Sequence, residues 1–400
     1  MKEKIASYLD KFCYQIPNRH VGSPGNLEAT DFFAETIRQF GFRVECPEFD
    51  CIDWEFGKVR LAAGSGKLEA LVGPYSLPFS GKARLVAVST IDELEKSELA
   101  GKIILIHGEL AKEQIMPINF PFYNPEEHQT IVRLLEDKQP AAIISATSRN
   151  PETAGGVYPF PLFEDGDFDI PSVYMKDTEG KRLLPCAGSE ITLAFESRRI
   201  PAKGCNVVAR KGGEDAAARI VFCAHIDAKK GTPGALDNAT GVATLLALAE
   251  KLQNYHGELM VEIVALNGED YYAAPGQILY LQQNKEKLDS ILLAINMDGA
   301  GFHQANTMFS LFELPEPMAA IIKNILRNEC QFDEGPQWYQ SDHSIFIQNG
   351  CPAVAITSSN LSELCTNITH NPKDRPELVS CEKLAEIAEG LRQIVEVLDQ

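Results

Sequence analysis

Two separated parts of the chain show the alternation of strand-length apolar runs and helix-length amphipathic stretches. In the second half, apolar runs at 219–222, 258–267 and 291–297 are separated by stretches with helical spacing such as 241–252. Apolar runs of this length predict strands that are buried on both faces. The pattern therefore predicts an α/β fold with a mixed, mostly parallel sheet and helices on both faces.

The first fifty residues show the same pattern of apolar and polar positions, which predicts two amphipathic helices followed by a strand. Residues 53–197 differ, because short strand-like runs there alternate with Gly/Pro turns, and a single helix is predicted near 126–138. That spacing is typical of an all-β or α+β module. We therefore predict two domains, one formed by 1–50 with 200–400 and one β-rich insertion at 53–197, as a length of 400 residues suggests.

Composition narrows the class of partner and the compartment. A formal net charge of −19 argues against nucleic acid and anionic membranes as partners. We found no apolar run of about 18 residues, and the start of the sequence, MKEKIASYLDKF, has no signal-peptide apolar core. The ten cysteines lack C-x-x-C spacing, which is typical of reduced thiols. We expect a cytoplasmic protein without a membrane partner; the sequence carries no signal for its oligomeric state.

The first two candidate metal ligands follow the predicted strand at 219–222. His225 comes at the end of that strand, and Asp237 lies 12 residues later, just before the helix at 241–252. Ligands of open α/β sheets bind at the carboxyl ends of strands, and imidazole and carboxylate are ligands that zinc accepts. A His-x-Asp at a strand end, here His225 and Asp227, is nevertheless more often a hydrogen-bonded loop pair than part of a metal site.

Three later segments change that interpretation. Glu269 and Asp270 follow the run at 258–267, Asp298 follows the run at 291–297, and His370 precedes Asn-Pro-Lys-Asp near the end of the sequence. One such segment would be read as a solvated strand end. Four in series favour a shared metal site.

Taken in order, HID, PGALDNATG, NGED, NMDG, SDHSIF and THNPKD resemble the signature segments of the co-catalytic di-zinc aminopeptidases. This family includes bacterial leucyl aminopeptidases, aminopeptidase Y and glutamate carboxypeptidase. The resemblance covers 1–50 and 200–400 and implies the zinc exopeptidase fold. In the middle region, GKIILI at 101–106 and IPSVY at 170–174 resemble strands of a protease-associated domain.

The resemblance implies five ligands for two zinc ions, with cobalt or manganese as alternatives. His225 and Asp298 would complete one site, Asp270 and His370 the other, and Asp237 would bridge both ions. It also implies a cis peptide bond between Asp237 and Asn238. Most relatives have Glu at the position of Asp270, so the shorter side chain requires a closer backbone or binds its ion more weakly.

The resemblance assigns roles to further residues beside the ions. Glu269 would be the general base for a water held between them, and Asp227 would accept the other N–H of the His225 imidazole; a surface strand-end acid is the alternative for Asp227. Tyr339 would contribute to the substrate pocket or be a packed surface aromatic. His343 would shape the site wall or substrate pocket.

The function implied is that of a zinc-dependent exopeptidase, an aminopeptidase acting on the N-terminal bond of short peptides. Two alternatives stay open. Glutaminyl cyclases share this fold, which allows a single-zinc acyltransferase. Relatives that have lost ligands serve as binding proteins, which allows a non-catalytic homologue, although the ligand candidates here are intact.

Overall fold

The computed structural model describes residues 1–16, 18–64, 66–150, 156–213, 216 and 218–400. The chain forms two compact units, the first comprising Met1–Cys51, Ala202–Leu364 and Ile368–Gln400 and the second Ile52–Pro201 with Cys365–Asn367. The chain leaves the first unit within strand Glu48–Phe56 and returns to it within strand Ser197–Cys205, and these two strands pair with each other. Among the helices of the described ranges, none combines the length and apolar character needed to span a membrane.

The first unit is built on an eight-stranded mixed sheet. In spatial order its strands are Arg43–Glu45, Val207–Lys211, Met260–Leu266, Arg219–His225, Ile291–Met297, Ala353–Ser358, Thr307–Phe312 and Asp333–Glu334. The four central strands, from Met260–Leu266 to Ala353–Ser358, are mutually parallel, and antiparallel pairs flank them. The predicted mixed, mostly parallel sheet is confirmed.

Helices cover both faces of this sheet, as the strand Met260–Leu266 illustrates. Alternate side chains of a strand point to opposite faces. Ile263 belongs to the main apolar core, whereas the buried carboxylate of Glu262 accepts a hydrogen bond from Tyr280 in helix Pro275–Asn284. Because both faces are buried, the central strands are apolar at nearly every position rather than alternating.

Two of the remaining helices begin at a serine side-chain cap. Ser23 caps Pro24–Gln39 by accepting from the N–H of Asn26, and Ser380 caps Cys381–Leu398 by accepting from the N–H of Lys383. The other helices are Lys2–Asp10, Thr240–Lys251, Glu316–Lys323, His343–Ile347 and Leu361–Asn367, with helical turns at Lys11–Gln15, Leu288–Ser290, Asn324–Glu329 and Pro376–Leu378.

The second unit has its own sheet and its own apolar cores. In spatial order the strands are Gly66–Lys67, Arg60–Ala63, Glu190–Phe195, Phe79–Val88, Ile103–Ile106, Ala142–Thr147, Ser172–Lys176 and Leu71–Val72. Two separate apolar clusters pack within this unit. Its assignment to the protease-associated type stays a prediction.

The prediction of a single helix in the second unit is wrong. Glu126–Lys138 is present, but so are Ile91–Lys96 and Asp177–Leu183, with short turns at Gly108–Ala111 and Leu184–Cys186. The first of these additional helices begins with a capping box. Thr90 accepts from the N–H of Glu93, whose carboxylate accepts from the N–H of Ser89. That signal is present in the sequence and identifies the helix despite its shortness.

Candidate metal centre

The predicted ligands meet at one edge of the first sheet because the strands that carry them are parallel. Arg219–His225 ends at His225, which lies opposite Leu266 of the neighbouring strand. The loop after Leu266 supplies Glu269 and Asp270, and Asp298 directly follows the next parallel strand, Ile291–Met297. Parallel strands end at a common edge, so the side chains that follow them are brought together.

Asp237 lies at the middle of the site and presents one oxygen to each of two imidazoles. Its Oδ1 is 3.2 Å from Nε2 of His225, and its Oδ2 is 3.0 Å from Nε2 of His370. A carboxylate placed between two such nitrogens has the arrangement required of a ligand shared by two ions.

Each histidine has a second carboxylate beside it. Nε2 of His225 lies 3.7 Å from Oδ2 of Asp298, and Nε2 of His370 lies 3.0 Å from Oδ1 of Asp270. The structure therefore groups the predicted ligands into two sets that share Asp237.

The donor set fits a divalent cation. Nitrogen and oxygen atoms of His225, Asp237 and Asp270 all lie within 4.8 Å of one another, and all three residues are buried. Several buried side-chain atoms of the described residues have no hydrogen-bond partner, and two of them, Nε2 of His225 and Oδ2 of Asp270, lie in this cluster. Such atoms are costly unless something binds them, and imidazole nitrogen with carboxylate oxygen is a zinc ligand set. Burial alone would raise the pKa of Asp237, but the close imidazoles of His225 and His370 lower that pKa below the usual aspartate value.

Glu269 lies beside this cluster without being part of it. Its Oε2 is 4.0 Å from Nε2 of His225, and 26% of its side chain is exposed. Burial raises the pKa of Glu269 well above its ordinary value, an effect that His225 partly offsets and Asp270 reinforces. A carboxylate close to the ligands yet reachable from solvent is suited to proton transfer.

Asp227 also supports the site through backbone contacts that the sequence did not predict. Its carboxylate accepts from the N–H groups of Gly268 at 2.8 Å and Asp270 at 3.0 Å. The Nδ1 of His225 is 3.2 Å from the backbone carbonyl oxygen of Asp227 and 3.7 Å from its carboxylate. Since a carbonyl only accepts, it favours the tautomer with hydrogen on Nδ1, which leaves the Nε2 lone pair for a ligand.

Asp270 is held at both ends of its backbone. Besides the Asp227 contact at its N–H, its carbonyl oxygen accepts from Nζ of Lys229 at 2.9 Å. The short side chain of Asp270 still comes within 3.0 Å of His370. The backbone of Asp270 is thereby fixed with its carboxylate beside His370.

The loop carrying Asp237 is anchored by the next residue. The Asp237–Asn238 peptide bond is cis, which confirms that prediction. The Asn238 side chain donates to the carbonyl of Met297 at 2.8 Å and accepts from the N–H of Gly241 at 3.0 Å. A Cβ on Gly241 would lie 2.5 Å from that same Met297 oxygen, so only glycine permits this approach.

Both residues predicted for the substrate pocket pack against aromatic side chains. Tyr339 is 54% exposed, its hydroxyl donates to Gln337, and its ring packs edge-on against Phe312, which is the arrangement of a packed surface aromatic. His343 is fully buried, its Nε2 lies 2.6 Å from the carbonyl of Trp338, and burial lowers its pKa. Their roles in substrate binding stay predictions.

Sequence reasoning assigned no role to Ser341, Asn296, Arg19 or Asp374. The Ser341 hydroxyl donates to Oδ2 of Asp298 at 2.7 Å and accepts from the Asn296 side chain at 2.8 Å. Ser341 directly precedes Asp342 and His343 in a quoted segment, so its proximity to the site was the available signal. Arg19 and Asp374 hold the loop of Asp237 and are described below.

Comparison with known proteins points to one peptidase family. Residues 206–395 match the sequence profile of peptidase family M28. The match begins at the second strand of the first sheet and extends into the last helix, so the M28 region contains all the predicted ligands.

Known aminopeptidases are similar to this chain in sequence and in fold. A probable lipoprotein aminopeptidase, LpqL, of Mycobacterium tuberculosis is 25% identical over 70% of this chain, and the chain spans only 54% of its length. The aminopeptidase from Aneurinibacillus sp. strain AM-1 shares the fold with a TM-score of 0.78 at 20% identity, covering 99% of this chain and 93% of its own. BSAP, a zinc aminopeptidase from Bacillus subtilis, superposes with a TM-score of 0.79 at 18% identity, covering 100% and 95%.

Proposed function

We propose that this protein is a zinc-dependent aminopeptidase that hydrolyses the N-terminal peptide bond of short peptides with two metal ions. The observation that carries the proposal is the position of Asp237, with one oxygen within 3.2 Å of His225 and the other within 3.0 Å of His370. The match of residues 206–395 to peptidase family M28 and the aminopeptidase names of similar proteins support the reaction class. The similarity to BSAP, a zinc aminopeptidase from Bacillus subtilis, supports zinc as the metal.

Divalent ions held by these five residues would supply Lewis-acid polarisation of the scissile carbonyl and a water that is acidic enough to attack near neutral pH. The protein's own contribution to proton transfer comes from Glu269. Its carboxylate accepts a proton from the attacking water and returns it to the nitrogen of the leaving peptide as the C–N bond breaks. The products are a free amino acid and a peptide shortened by one residue, so atoms and charge balance.

Two sets of ligands favour two ions over one. A single-zinc cyclase needs only one of the two sets, yet both histidines here have a carboxylate beside them in addition to Asp237. A non-catalytic homologue has no need for Glu269 beside an intact ligand set. The nitrogen and carboxylate donors suit zinc, and they are also compatible with cobalt or manganese.

A substrate panel tests the proposal. The purified protein with Zn²⁺ is incubated with matched pairs of unblocked and N-acetylated dipeptides and with amino-acid anilides. We expect release of the N-terminal residue from unblocked substrates alone. Cyclisation of N-terminal glutamine with about one zinc per chain would contradict the proposal in favour of the acyltransferase, and absence of turnover would contradict it in favour of a binding protein.

A further inference from the structure

Asp374 is a buried carboxylate that holds the backbone of the loop carrying Asp237. Its Oδ1 accepts from the N–H of Leu236 at 2.7 Å, and its Oδ2 accepts from the N–H of Asp237 at 3.0 Å. Its own carbonyl oxygen accepts from the N–H of Ala235 at 3.3 Å. Three successive N–H groups therefore converge on one fully buried residue.

The same segment also supplies His370. The backbone of His370 is left-handed, with φ of 59°, and the turn that follows closes with a hydrogen bond from the N–H of Asp374 to the carbonyl of Asn371 at 3.1 Å. Because of this turn, His370 and Asp374, which are four residues apart, both contact Asp237. His370 meets a side-chain oxygen of Asp237, and Asp374 meets its backbone N–H.

Arg19 binds backbone carbonyl groups at the start of the same loop, whereas Asp374 binds its N–H groups. Its guanidinium donates to the carbonyls of Pro233 and Gly234, both at 2.8 Å, and to the carbonyl of Ile226 at 3.1 Å. Arg19 is 3% exposed, and these charge-assisted bonds fix the entry to the loop.

The loop needs such external support because it has no regular structure at the position that matters. Asp237 has φ −119° and ψ 84°, and Asn238 has φ −140° and ψ 46°, which are not helical values. Regular intrahelical hydrogen bonding therefore cannot set the direction of the Asp237 side chain. Backbone groups that regular structure leaves unpaired must find other partners, and Asp374 provides them.

We propose that Asp374 is a positioning residue for the bridging carboxylate, so that the affinity for both metal ions depends on it. This inference rests on the proposed function, because it assumes that Asp237 is shared by two ions. Were Asp374 to act only by holding the His370 segment, its loss would weaken the binding of one ion alone.

Competition titrations of Zn²⁺ against a chromophoric chelator test the inference on the full chain. Asp374→Asn keeps the side-chain volume but turns an NH₂ group toward one of the two N–H donors, and Asp374→Ala removes both acceptors. Loss of partners around metal ligands typically weakens metal affinity by about 10–100-fold. We expect both zinc dissociation constants of Asp374→Asn to rise by about that factor and those of Asp374→Ala to rise further. With Co²⁺ in place of zinc, the visible spectra of both sites should shift.

Asp165→Asn is the matched control. Asp165, in the second unit, is also a buried aspartate that accepts two backbone N–H groups, from Ile118 at 2.7 Å and Asp167 at 2.8 Å. Its substitution should lower Tm without changing either zinc dissociation constant. If Asp374→Asn behaves like this control, or weakens one zinc site only, the inference is overturned. A wild-type chain that does not bind two zinc ions would instead overturn the proposed function, which separates the two failures.

Discussion

Oδ2 of Asp227 lies 3.0 Å from the backbone nitrogen of Asp270, and this hydrogen bond fixes the loop that carries both a ligand and the proposed base. The other carboxylate oxygen of Asp227 accepts from Gly268, so Glu269 lies between two anchored residues. The loop that follows strand Met260–Leu266 is thereby anchored by a residue that follows the adjacent strand, Arg219–His225.

The substitution Asp227→Asn should therefore disturb Asp270 and Glu269 together. The amide retains one acceptor and presents a donor to the other N–H, so one loop anchor is lost. We expect kcat to fall and zinc affinity at the Asp270 site to weaken by about 10–100-fold. Steady-state kinetics and zinc titration measure the two effects.

Asp399→Asn serves as the control for that experiment. Asp399 accepts from the N–H of Leu259 at 2.7 Å, just before the strand Met260–Leu266, whose far end leads to Asp270. This variant should keep kcat and zinc affinity. Unchanged zinc affinity and kcat in Asp227→Asn would show that the Asp227 hydrogen bonds do not hold the site.

Glu269→Gln should separate chemistry from metal binding. The amide cannot accept the proton, and removal of a general base typically lowers kcat by about 10²–10⁴-fold. Zinc content by elemental analysis should stay that of the wild type. Loss of zinc in this variant would mean that Glu269 and Asp270 have exchanged roles.

The stability of the zinc-free chain should depend on pH through Asp342. Its Oδ1 accepts from Gln277 at 2.8 Å, and burial raises its pKa from 3.8 to about 7. Because the folded state holds this proton more tightly than the unfolded state, the stabilisation is complete below about pH 4 and is lost as pH rises through about 7.

Thermal unfolding with a chelator at pH 5 and pH 8 measures this dependence. Asp342→Asn keeps an acceptor for Gln277 but cannot ionise. We expect the loss of Tm between the two pH values to be smaller in the variant than in the wild type. Equal losses would show that Asp342 does not titrate in this interval.

Much of this molecule follows from local sequence signals. The strands that lead to His225, Asp270 and Asp298 are apolar at nearly every position, and parallel strands of one sheet end at one edge. The helix at 381–398 has amphipathic spacing and begins after a serine cap, and both signals are local in the sequence.

The supports of the site could not be predicted in the same way. Arg19 reaches carbonyls more than 200 residues away in sequence, and Asp374 holds N–H groups 137 and 138 residues before it. No periodicity marks such contacts, because they depend on the tertiary fold and on backbone groups that every residue has. The sequence indicated Asp227 as a partner of His225. It could not show that the Asp227 carboxylate also accepts from Gly268 and Asp270 of the neighbouring loop, while its carbonyl oxygen lies nearer to Nδ1 of His225.

Zinc content per chain tests the central claim, that Asp237 is shared by two ions, most directly. Elemental analysis of the wild type, Asp237→Ala and His370→Ala after identical loading compares the three proteins. We expect about two zinc ions per chain in the wild type, close to none in Asp237→Ala and about one in His370→Ala, because only Asp237 belongs to both ligand sets. An Asp237→Ala protein that is folded and retains one or two zinc ions would contradict the account.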